Sequence, residues 1–497
     1  MQPLPALVYP TATVRAADRY AIEVLGIPGY TLMTRAGEVA LTALRGQWPL
    51  ARRVLVLAGR GNNGGDAYVV ARFARAAGLD VTLAAPAGLP ASGDAARAAA
   101  DWRAAGGTVL PWTAMLVERA DLVVDGLLGT GLEREVAAPL HEVIGAVNAG
   151  NRPVVALDVP SGLDSDTGEV RGAAVRAALT VTFVGLKPGF FLGAGPEHVG
   201  RLICDDLDVG LIAFEGRAPA LRRILESDLR ALLPRRSRAA HKGVNGRVLV
   251  VGGGPGMPGA VRLSGEAALR AGAGLVTIAT WPAHAAALAA GRPELICLPV
   301  ESAADLAAAL AAADVVAVGP GLGRTPWADA LLAAVWSCGK PLIVDADALN
   351  ALAERPARST GWCLTPHPGE AARLLGVEPA AIQADRLAAV HGLAARYGGV
   401  AVLKGAGTLV AAGEAAPWVC ERGNPGMAAA GMGDVLTGVI AAIAAQQPDP
   451  LGALGTAAAV GVLVHAQAGD LAARGGERGI LASDLIAQLP ACVNPAS

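Results

Sequence analysis

The sequence has few aromatic and few charged residues. Of its 497 residues only 4% are Phe, Trp or Tyr and 17% are Asp, Glu, Lys or Arg, whereas 53% are hydrophobic. The interior must therefore consist mainly of aliphatic side chains, while 64 glycines provide tight turns and close backbone contacts. This composition is typical of α/β enzymes, and a chain of this length predicts two domains rather than one core.

Further absences exclude several classes of partner. The formal net charge is −2, and the densest basic cluster is the short segment 235–238. Without a long basic stretch interleaved with aromatics, we expect no binding to nucleic acid or to an anionic membrane. No apolar run reaches the roughly 18 to 20 residues needed to cross a bilayer, and the N-terminus lacks the pattern of a signal peptide. We therefore expect a cytoplasmic protein.

The cysteines show no pattern of a disulfide framework or a zinc site. There is no Cys-x-x-Cys pair, and no cysteine stands with a histidine at zinc-like spacing. We expect free thiols in a reducing compartment. The six are Cys204, Cys297, Cys338, Cys363, Cys420 and Cys492.

Strand-like and helix-like stretches alternate through both halves of the chain. Continuous apolar strands followed by helices predict parallel, doubly wound sheets covered on both faces. The alternation lapses at residues 210–237, so we predict an α/β protein with a Rossmann-like domain over 1–215 and a second α/β domain over 225–497. The predicted strands are 54–57, 81–83, 122–124, 154–157 and 180–183, then 248–251, 315–318, 342–344 and 400–403.

Two glycine-rich segments, 60–66 and 424–434, each follow a predicted strand and precede a predicted helix. At such a junction, unpaired backbone N–H groups lie at the positive end of a helix dipole, where a phosphate is readily held. The first segment is predicted as a loop, with its helix beginning at Ala67. Two nucleotide sites are therefore predicted.

Three polar segments of the first half are predicted to meet at one edge of its sheet. Asn62–Asp66, Asp125–Gly131 and Asp158–Asp164 each follow a strand, and ligands of such sheets bind at the carboxyl ends of strands. Asn63, Asp125 and Ser161 offer only oxygen donors, which suit an alkali or alkaline-earth cation rather than zinc. For each residue taken singly, a turn or helix-capping role is the commoner explanation.

These motifs, preceded by Arg35-Ala36-Gly37, match a known family. Over residues 10 to about 210 the chain resembles the NAD(P)H-hydrate epimerases. The resemblance implies a bound potassium ion, with Asn63, Asp125 and Ser161 as its ligands. It also implies a substrate site formed by Asn62, Asn63, Gly64, Gly65, Asp66, Gly129, Thr130, Gly131, Leu132, Glu133, Arg134, Glu135 and Asp158.

The implied chemistry suits a carboxylate. Hydrated NADH or NADPH carries a hydroxyl on C6, next to the ring nitrogen, so that carbon can epimerise by reversible ring opening through an aldehyde. A carboxylate beside the hydroxyl can accept its proton and return it. We predict Asp158 as this acid/base residue.

In the second half, Gly431-Met432-Gly433-Asp434 is the sharpest motif. Glycine amides at a helix N-terminus form an anion hole for a phosphoryl group, and the adjacent carboxylate can take the proton of an attacking hydroxyl. This pairing is typical of ribokinase-like phosphoryl transfer. The alternative for Asp434 is an ordinary helix cap.

A series of motifs from His241-Lys242-Gly243 to Asp434 resembles the ADP-dependent NAD(P)H-hydrate dehydratases over residues 225 to 490. The resemblance implies a ribokinase-like fold and a reaction in which the C6 hydroxyl is phosphorylated and phosphate is then eliminated. Asp434 would be the base. It further implies a substrate site of Ala260, Gly321, His367 and Asp434, and an adenine-nucleotide site of Lys404, Gly405, Ala406, Gly407, Thr408 and Gly433.

The sequence thus predicts repair of hydrated NADH and NADPH by an epimerase and a dehydratase on one chain. ADP is the expected co-substrate, with ATP left open, and Mg²⁺ is expected to accompany the nucleotide. Alanine-rich apolar helices lead us to expect a homo-oligomer. The alternatives are a ribokinase-like small-molecule kinase fused to a non-catalytic nucleotide-binding domain, and a nucleotide-sensing or scaffold protein.

Overall fold

The structure, a computed structural model, describes residues 3–132 and 134–494. The chain divides into two compact units, Met1–Leu221 and Arg222–Ser497. The border falls within the stretch 210–237, where the strand–helix alternation lapses. Within the described ranges, every helix is too short or too polar to span a lipid bilayer.

The first unit contains seven strands and seven helices among its described residues. Its strands are β1 (Leu7–Val8), β2 (Arg53–Ala58), β3 (Asp80–Ala84), β4 (Leu122–Gly126), β5 (Val154–Leu157), β6 (Leu179–Phe183) and β7 (Arg201–Asp205). Its helices are α1 (Thr11–Glu23), α2 (Gly29–Gln47), α3 (Asn62–Ala76), α4 (Gly93–Ala104), α5 (Met115–Arg119), α6 (Leu140–Ala149) and α7 (Gly195–His198). Helices α1 and α2 precede β2, the first strand of the parallel sheet.

Six strands of the first unit form a parallel sheet in the order β3-β2-β4-β5-β6-β7. Every residue of β4, β5 and β6 is buried, which explains why apolar residues predominate in these strands. One core lies beneath α1 to α4, and a second lies on the side of α5 and α6. The doubly wound sheet predicted from the sequence is confirmed.

The second unit follows the same alternation over a longer stretch. Its strands are β8 (Leu221–Arg223), β9 (Arg247–Val251), β10 (Leu275–Thr280), β11 (Ile296–Pro299), β12 (Val315–Val318), β13 (Leu342–Val344), β14 (Trp362–Leu364), β15 (Val400–Leu403), β16 (Thr408–Ala412) and β17 (Trp418–Cys420). Its helices are α8 (Glu226–Leu232), α9 (Pro258–Arg270), α10 (Pro282–Gly291), α11 (Ala307–Ala312), α12 (Pro326–Trp336), α13 (Ala346–Glu354), α14 (Pro368–Leu375), α15 (Pro379–Ala384), α16 (Arg386–Tyr397), α17 (Met432–Ala445), α18 (Leu454–Ala472) and α19 (Ala482–Cys492).

The strands of the second unit are ordered β8-β17-β16-β15-β14-β13-β12-β9-β10-β11. Their pairing is parallel except that β16 runs antiparallel to both β15 and β17. Small residues bring helices into close contact, because a Cβ on Gly438 of α17 would lie 2.0 Å from the carbonyl oxygen of Ser264 on α9. The scarcity of aromatic residues is thus matched by closely packed Ala- and Gly-rich helices.

Each sheet has a point at which the order of its strands reverses. In the first unit the chain passes from β2 to β3 on one side and then to β4 on the other; in the second it passes from β9 to β10 and later to β12. Ligands of open α/β sheets bind at the carboxyl ends of the strands on either side of such a reversal. The glycine-rich segments 59–61, 252–256 and 319–323 lie at these strand ends.

Candidate active sites

The first glycine-rich segment is helical rather than a loop. Helix α3 begins at Asn62, with Gly61 as its N-cap, and not at Ala67 as predicted. The reason is packing: a Cβ on Gly64 would lie 2.0 Å from the carbonyl oxygen of Gly59, and one on Gly65 would lie 2.5 Å from the Met33 side chain. The two glycines let the first turn of α3 approach β2 and α2 closely.

This packing gives a stability prediction. We expect Gly64→Ala to lower the free energy of unfolding by about 1–3 kcal/mol or more, because the added methyl group meets backbone that cannot move freely. Gly61→Ala is the matched control, since a Cβ there has no neighbour within 4 Å among residues 3–132 and 134–494, and its φ of −96° suits alanine. Scanning calorimetry of both variants checks this. Equal transition temperatures for the two would contradict the packing explanation.

The three predicted cation ligands lie together at the start of α3, to which Asn63 belongs. Ser161 Oγ donates a 2.6 Å hydrogen bond to Asp125 Oδ1 and accepts one of 2.8 Å from the Leu128 amide, while Asn63 Nδ2 donates to the Leu128 carbonyl at 2.6 Å. Asn63 Oδ1 is buried and has no hydrogen-bond partner in the part of the chain that the structure describes. Burial raises the pKa of Asp125 to about 6, against hydrogen bonds from Ser161 and Leu127 that lower it. An unpartnered buried oxygen beside a carboxylate suits a cation.

A cavity of about 1040 Å³ opens above this cluster. The predicted substrate residues that line it are Asn62, Asn63, Asp66, Gly129, Thr130, Gly131, Leu132, Arg134, Glu135 and Asp158. Gly64 and Gly65 are buried and do not reach its surface, and Glu133 lies outside the described residues. The cavity walls also carry Asp18 and Lys187, which the sequence did not single out.

Asp158 lies at the end of β5 in a left-handed conformation, with φ of 60°. This conformation is unusual for a residue other than glycine, although aspartate tolerates it better than most. Its carboxylate Oδ1 accepts a 2.5 Å hydrogen bond from Lys187 Nζ and one of 3.2 Å from Thr182 Oγ1. The Lys187 side chain is 1% exposed, whereas that of Asp158 is 19% exposed, toward the cavity.

Two further carboxyl groups face the same cavity. Burial raises the pKa of Asp66 well above its usual range, and the charges of Asp158 and Asp18 raise it further. Burial, followed by the charge of Asp158, also raises the pKa of Asp18, whereas Lys187 and Arg19 oppose this. The cavity therefore combines these three carboxyl groups, and those of Asp94 and Glu135, with one buried ammonium group.

In the second unit, the predicted substrate residues Ala260 and Gly321 are neighbours. Gly321 has φ of 55°, and a Cβ there would lie 3.1 Å from that of Ala260 and 2.9 Å from the Met257 carbonyl oxygen. The segments after β9 and β12 are joined by hydrogen bonds from the Gly253 and Gly254 amides to residues 320 and 321. The predicted pair therefore lies where the strand order of the second sheet reverses.

His367 has a structural role in this unit. It is the N-cap of α14, and its Nδ1 accepts hydrogen bonds from the Gly369 and Glu370 amides at 3.0 and 3.3 Å. Its Nε2 lies 3.5 Å from Glu370 Oε1. His367 is thus a helix cap, and its second ring nitrogen lies outside the cap.

The Gly-Met-Gly-Asp motif forms the N-terminus of α17. Gly431 is its N-cap with φ of 86°, a left-handed conformation that favours glycine, and Gly433 and Asp434 lie in the first turn. A Cβ on Gly433 would lie 3.3 Å from Lys404 Nζ and 3.7 Å from Asp345 Oδ2. The free amides of this turn therefore lie beside a lysine ammonium group, as an anion site requires.

Lys404 lies in a buried network that the sequence did not reveal. Its Nζ donates a 3.0 Å hydrogen bond to Asp345 Oδ1 and lies 3.7 Å from Glu370 Oε2, and Thr437 Oγ1 donates to Asp345 Oδ2 at 2.8 Å. Burial raises the pKa of Asp345. The charge of Lys404 and the hydrogen bonds that Asp345 accepts from Lys404 and Thr437 outweigh burial, so the pKa is lower than usual. Asp345 directly follows β13 and is the N-cap residue of α13.

Asp434 is the carboxyl group of this site whose proton affinity is raised most clearly. Burial raises its pKa to about 6, with further contributions from Asp345 and Asp347, while Lys404 lowers it. A group with this pKa is ionised at neutral pH and can still accept a proton. Asp434 is therefore suited to act as a general base.

The predicted nucleotide segment Lys404–Thr408 connects β15 to β16. Arg386, which is 4% exposed, donates to the carbonyl oxygens of Leu403, Lys404 and Gly407 at 3.2 to 3.4 Å. Thr408 Oγ1 donates to the Gly405 carbonyl at 2.8 Å. These hydrogen bonds fix the backbone of the segment. The Lys404 ammonium group lies at the start of α17.

Comparison with known proteins agrees with this division of the chain. A family model described as "YjeF-related protein N-terminus" matches residues 29–189, and one described as "NAD(P)H-hydrate dehydratase" matches residues 248–491. A bifunctional NAD(P)H-hydrate repair enzyme of Coxiella burnetii is 47% identical over 491 residues, which cover 98% of this chain and 100% of that protein. Its Escherichia coli counterpart is 45% identical, covering 99% of this chain and 95% of that protein.

The chain belongs to the bifunctional NAD(P)H-hydrate repair enzyme family. Its first half is the epimerase part of that family, and its second half is the dehydratase part. A solved ribokinase-like superfamily protein of Enterococcus faecalis V583 is 30% identical, with a TM-score of 0.51, over 55% of this chain and 95% of that one. The ribokinase-like fold implied by the sequence is confirmed. The cavity of the first unit and the N-terminus of α17 therefore belong to a member of a repair-enzyme family.

Proposed function

We propose that the first unit interconverts the R and S forms of hydrated NADH and NADPH, and that the second unit dehydrates the S form with ADP. The observation that carries the proposal is the placement of Asp434 and Gly433 at the N-terminus of α17 beside Lys404. One group there can take a proton, while the amides and the ammonium group can stabilise phosphoryl oxygens.

In the proposed dehydration, Asp434 accepts the proton of the C6 hydroxyl as that oxygen attacks the terminal phosphorus of ADP and AMP leaves. Phosphate is a better leaving group than hydroxide, so loss of the C5 proton and of phosphate then restores the dihydronicotinamide ring. The products are NADH or NADPH, AMP and phosphate. ATP in place of ADP would give ADP instead of AMP.

Substrate contacts are proposed on the pattern that the family resemblance implies. We assign the hydrated ring to the region of Ala260, Gly321, His367 and Asp434, and the adenine nucleotide to the backbone of Lys404–Thr408 with Gly433. The fixed backbone of that segment supports this assignment. We propose that Mg²⁺ accompanies ADP, because Mg²⁺ is usually bound through nucleotide phosphates as well as protein carboxylates.

In the first unit, the proposed substrate site is the cavity that contains Asp158. Asp158 accepts the C6 hydroxyl proton as the ring opens and returns it after the other face closes. The exposure of its carboxyl group to the cavity supports this role. The assignment includes Asn62, Asn63, Asp66, Thr130 and the other residues that line the cavity.

Potassium is proposed to bind Asn63, Asp125 and Ser161, since the unpartnered Asn63 Oδ1 fits a cation. When bound, it would supply positive charge that balances Asp125. We expect KCl to raise the melting temperature above that in equimolar NaCl; at ten times its Kd the ion contributes about 1.4 kcal/mol. Ser161→Ala should abolish the difference, and Ser92→Ala, at an exposed helix cap, should retain it. A difference that survives Ser161→Ala would contradict this site.

Two finer expectations belong to the proposal. Six free cysteines are compatible with a reducing compartment such as the cytoplasm. We also propose that the chain forms a homo-oligomer, which sedimentation of the purified protein would test.

The test of the proposed function is recovery of reduced-nicotinamide absorbance from a mixture of R and S NADH hydrate, with and without ADP or ATP. Full recovery that depends on a nucleotide is expected, with AMP and phosphate formed when ADP is used. Recovery that stops at the S fraction would leave only the dehydratase. A stable phosphorylated hydrate, detected by mass spectrometry, would instead support a small-molecule kinase.

A further inference from the structure

The ring-opening step needs two proton transfers, and a single carboxylate provides only one at a time. The C6 hydroxyl must lose a proton while the ring nitrogen gains one, because the electron pair of the broken C6–N1 bond remains on nitrogen. The cavity of the first unit contains more than one acid, so this second transfer can be assigned to a particular residue.

Lys187 holds the carboxyl group of Asp158 in a fixed position. Its Nζ donates three hydrogen bonds, to Asp158 Oδ1 at 2.5 Å, to Thr182 Oγ1 at 2.7 Å and to the Phe183 carbonyl at 3.1 Å. A buried ammonium group with all three N–H groups used cannot turn toward a substrate without leaving its partners. It therefore pairs with the carboxyl group of Asp158 and fixes Oδ1 in place.

This arrangement leaves the other carboxylate oxygen available. Asp158 Oδ2 has no hydrogen bond to residues 3–132 or 134–494, and the residue lines the cavity. Its left-handed backbone, with φ of 60°, is held by a 2.7 Å hydrogen bond from its amide to the Val181 carbonyl. One oxygen is thus bound to lysine and the second is free to contact substrate.

Asp66 is in a different environment within the same cavity. It lies on α3, is half-buried, and has no salt bridge to a cation of the described chain. Burial raises the pKa of Asp66 well above its usual range, and Asp158 and Asp18 raise it further. The charged or titratable groups that face Asp158 are Lys187, Asp18 on α1, Asp66 on α3 and Cys204 on β7. The buried ammonium group is already paired to Asp158, so Asp66 lines the cavity without a cation to stabilise its carboxylate form.

We propose that Asp158 and Asp66 divide the ring-opening step between them, with Lys187 as the positioning residue that maintains Asp158 as the base. This inference rests on the proposed epimerase function of the first unit. Asp158 takes the hydroxyl proton, C6=O forms as the C6–N1 bond breaks, and Asp66 gives its proton to N1. After rotation about C5–C6, both protons return and the ring closes on the other face. No oxidant or further reactant is required.

The test measures epimerisation by intact chains without nucleotide, as chromatographic interconversion of R and S NADH hydrate across a range of pH. Lys187→Met should lower kcat by about 10²-fold with little change in KM, and should move the acid limb of the kcat profile to higher pH. Lys187→Arg should restore part of kcat and return the acid limb toward its wild-type position. Asp66→Asn should lower kcat by about 10²-fold and remove the basic limb.

A smaller substitution guards against misfolding of the lysine variant. Thr182→Val removes one hydrogen bond to the same carboxylate and should move the acid limb in the same direction by less. Dehydratase turnover of S hydrate by each variant reports whether the second unit is intact. Lys340→Met is the charge control, because Lys340 is a half-buried lysine of the second unit that belongs to neither proposed site.

If the pH limbs of Lys187→Met and Thr182→Val are unchanged, the positioning role of Lys187 is overturned. If Asp66→Asn has the wild-type kcat, the role of Asp66 as the second acid is overturned. A wild-type protein that does not epimerise would instead reject the proposed function itself. The two failures are therefore distinguishable.

Discussion

Replacing Asp434 with Asn is expected to lower the dehydratase kcat by about 10²- to 10⁴-fold, the usual contribution of a general base. Asparagine keeps the size of the side chain but cannot accept the hydroxyl proton. The helix N-terminus and Lys404 remain, so KM for ADP should change far less than kcat. Loss of reduced-nicotinamide recovery from S hydrate is the measurement.

Two controls separate this loss from unfolding. Asp329→Asn removes an exposed carboxylate of the same unit, paired with Arg355 on the surface, and should leave the rate unchanged. R/S interconversion by the Asp434 variant should also persist. A rate within a few-fold of wild type in Asp434→Asn would contradict its assignment as the base.

The pH dependence of the wild-type enzyme follows from the same residue. Because a base must be ionised, dehydratase kcat should be full above the pKa of Asp434, raised by burial to about 6, and should fall as the pH drops through that value. An acid limb that persists unchanged in Asp434→Asn would assign it to another group.

Replacing Asp158 with Asn is expected to lower the kcat of R/S interconversion by a similar factor, about 10²- to 10⁴-fold. The amide cannot take the hydroxyl proton, and it leaves the buried Lys187 ammonium group without its anionic partner. Nucleotide-dependent recovery from a mixture should then stop at the S fraction. The variant's dehydratase rate on pure S hydrate should match wild type.

Asp80→Asn is the matched control for this change, because Asp80 is an exposed residue of the same unit at the start of β3. It should recover both forms fully. Complete recovery by Asp158→Asn, at a rate above that of uncatalysed interconversion, would contradict the assigned role.

The strands were predictable because their signal is local. Residues 122–124 and 154–157 are uninterrupted apolar runs, as burial on both faces of a sheet requires, and the structure has β4 and β5 there. The start of α3 was not predictable in this way. Asparagine and glycine ordinarily favour turns, and only contacts with Gly59 and Met33 explain why the helix includes them.

The buried partners of two predicted residues, Asp158 and Lys404, were missed for a related reason. Lys187 is 29 positions from Asp158, and Lys404 is 59 positions from Asp345, so neither pair forms a short motif. A buried charge pair is created by the sheet topology that brings strand ends together. A lysine next to an apolar strand, as Lys404 is after β15, is the sequence signal that could have suggested a buried partner.

The most direct test of two separate active sites on one chain mixes the two variants Asp158→Asn and Asp434→Asn. With R and S NADH hydrate and ADP, the first alone should recover only the S fraction and the second alone almost nothing. Together they should recover the full reduced-nicotinamide absorbance, because the Asp434 variant supplies S hydrate to the intact dehydratase of the other chain. Recovery by the mixture that stops at the S fraction would contradict this division of the chain.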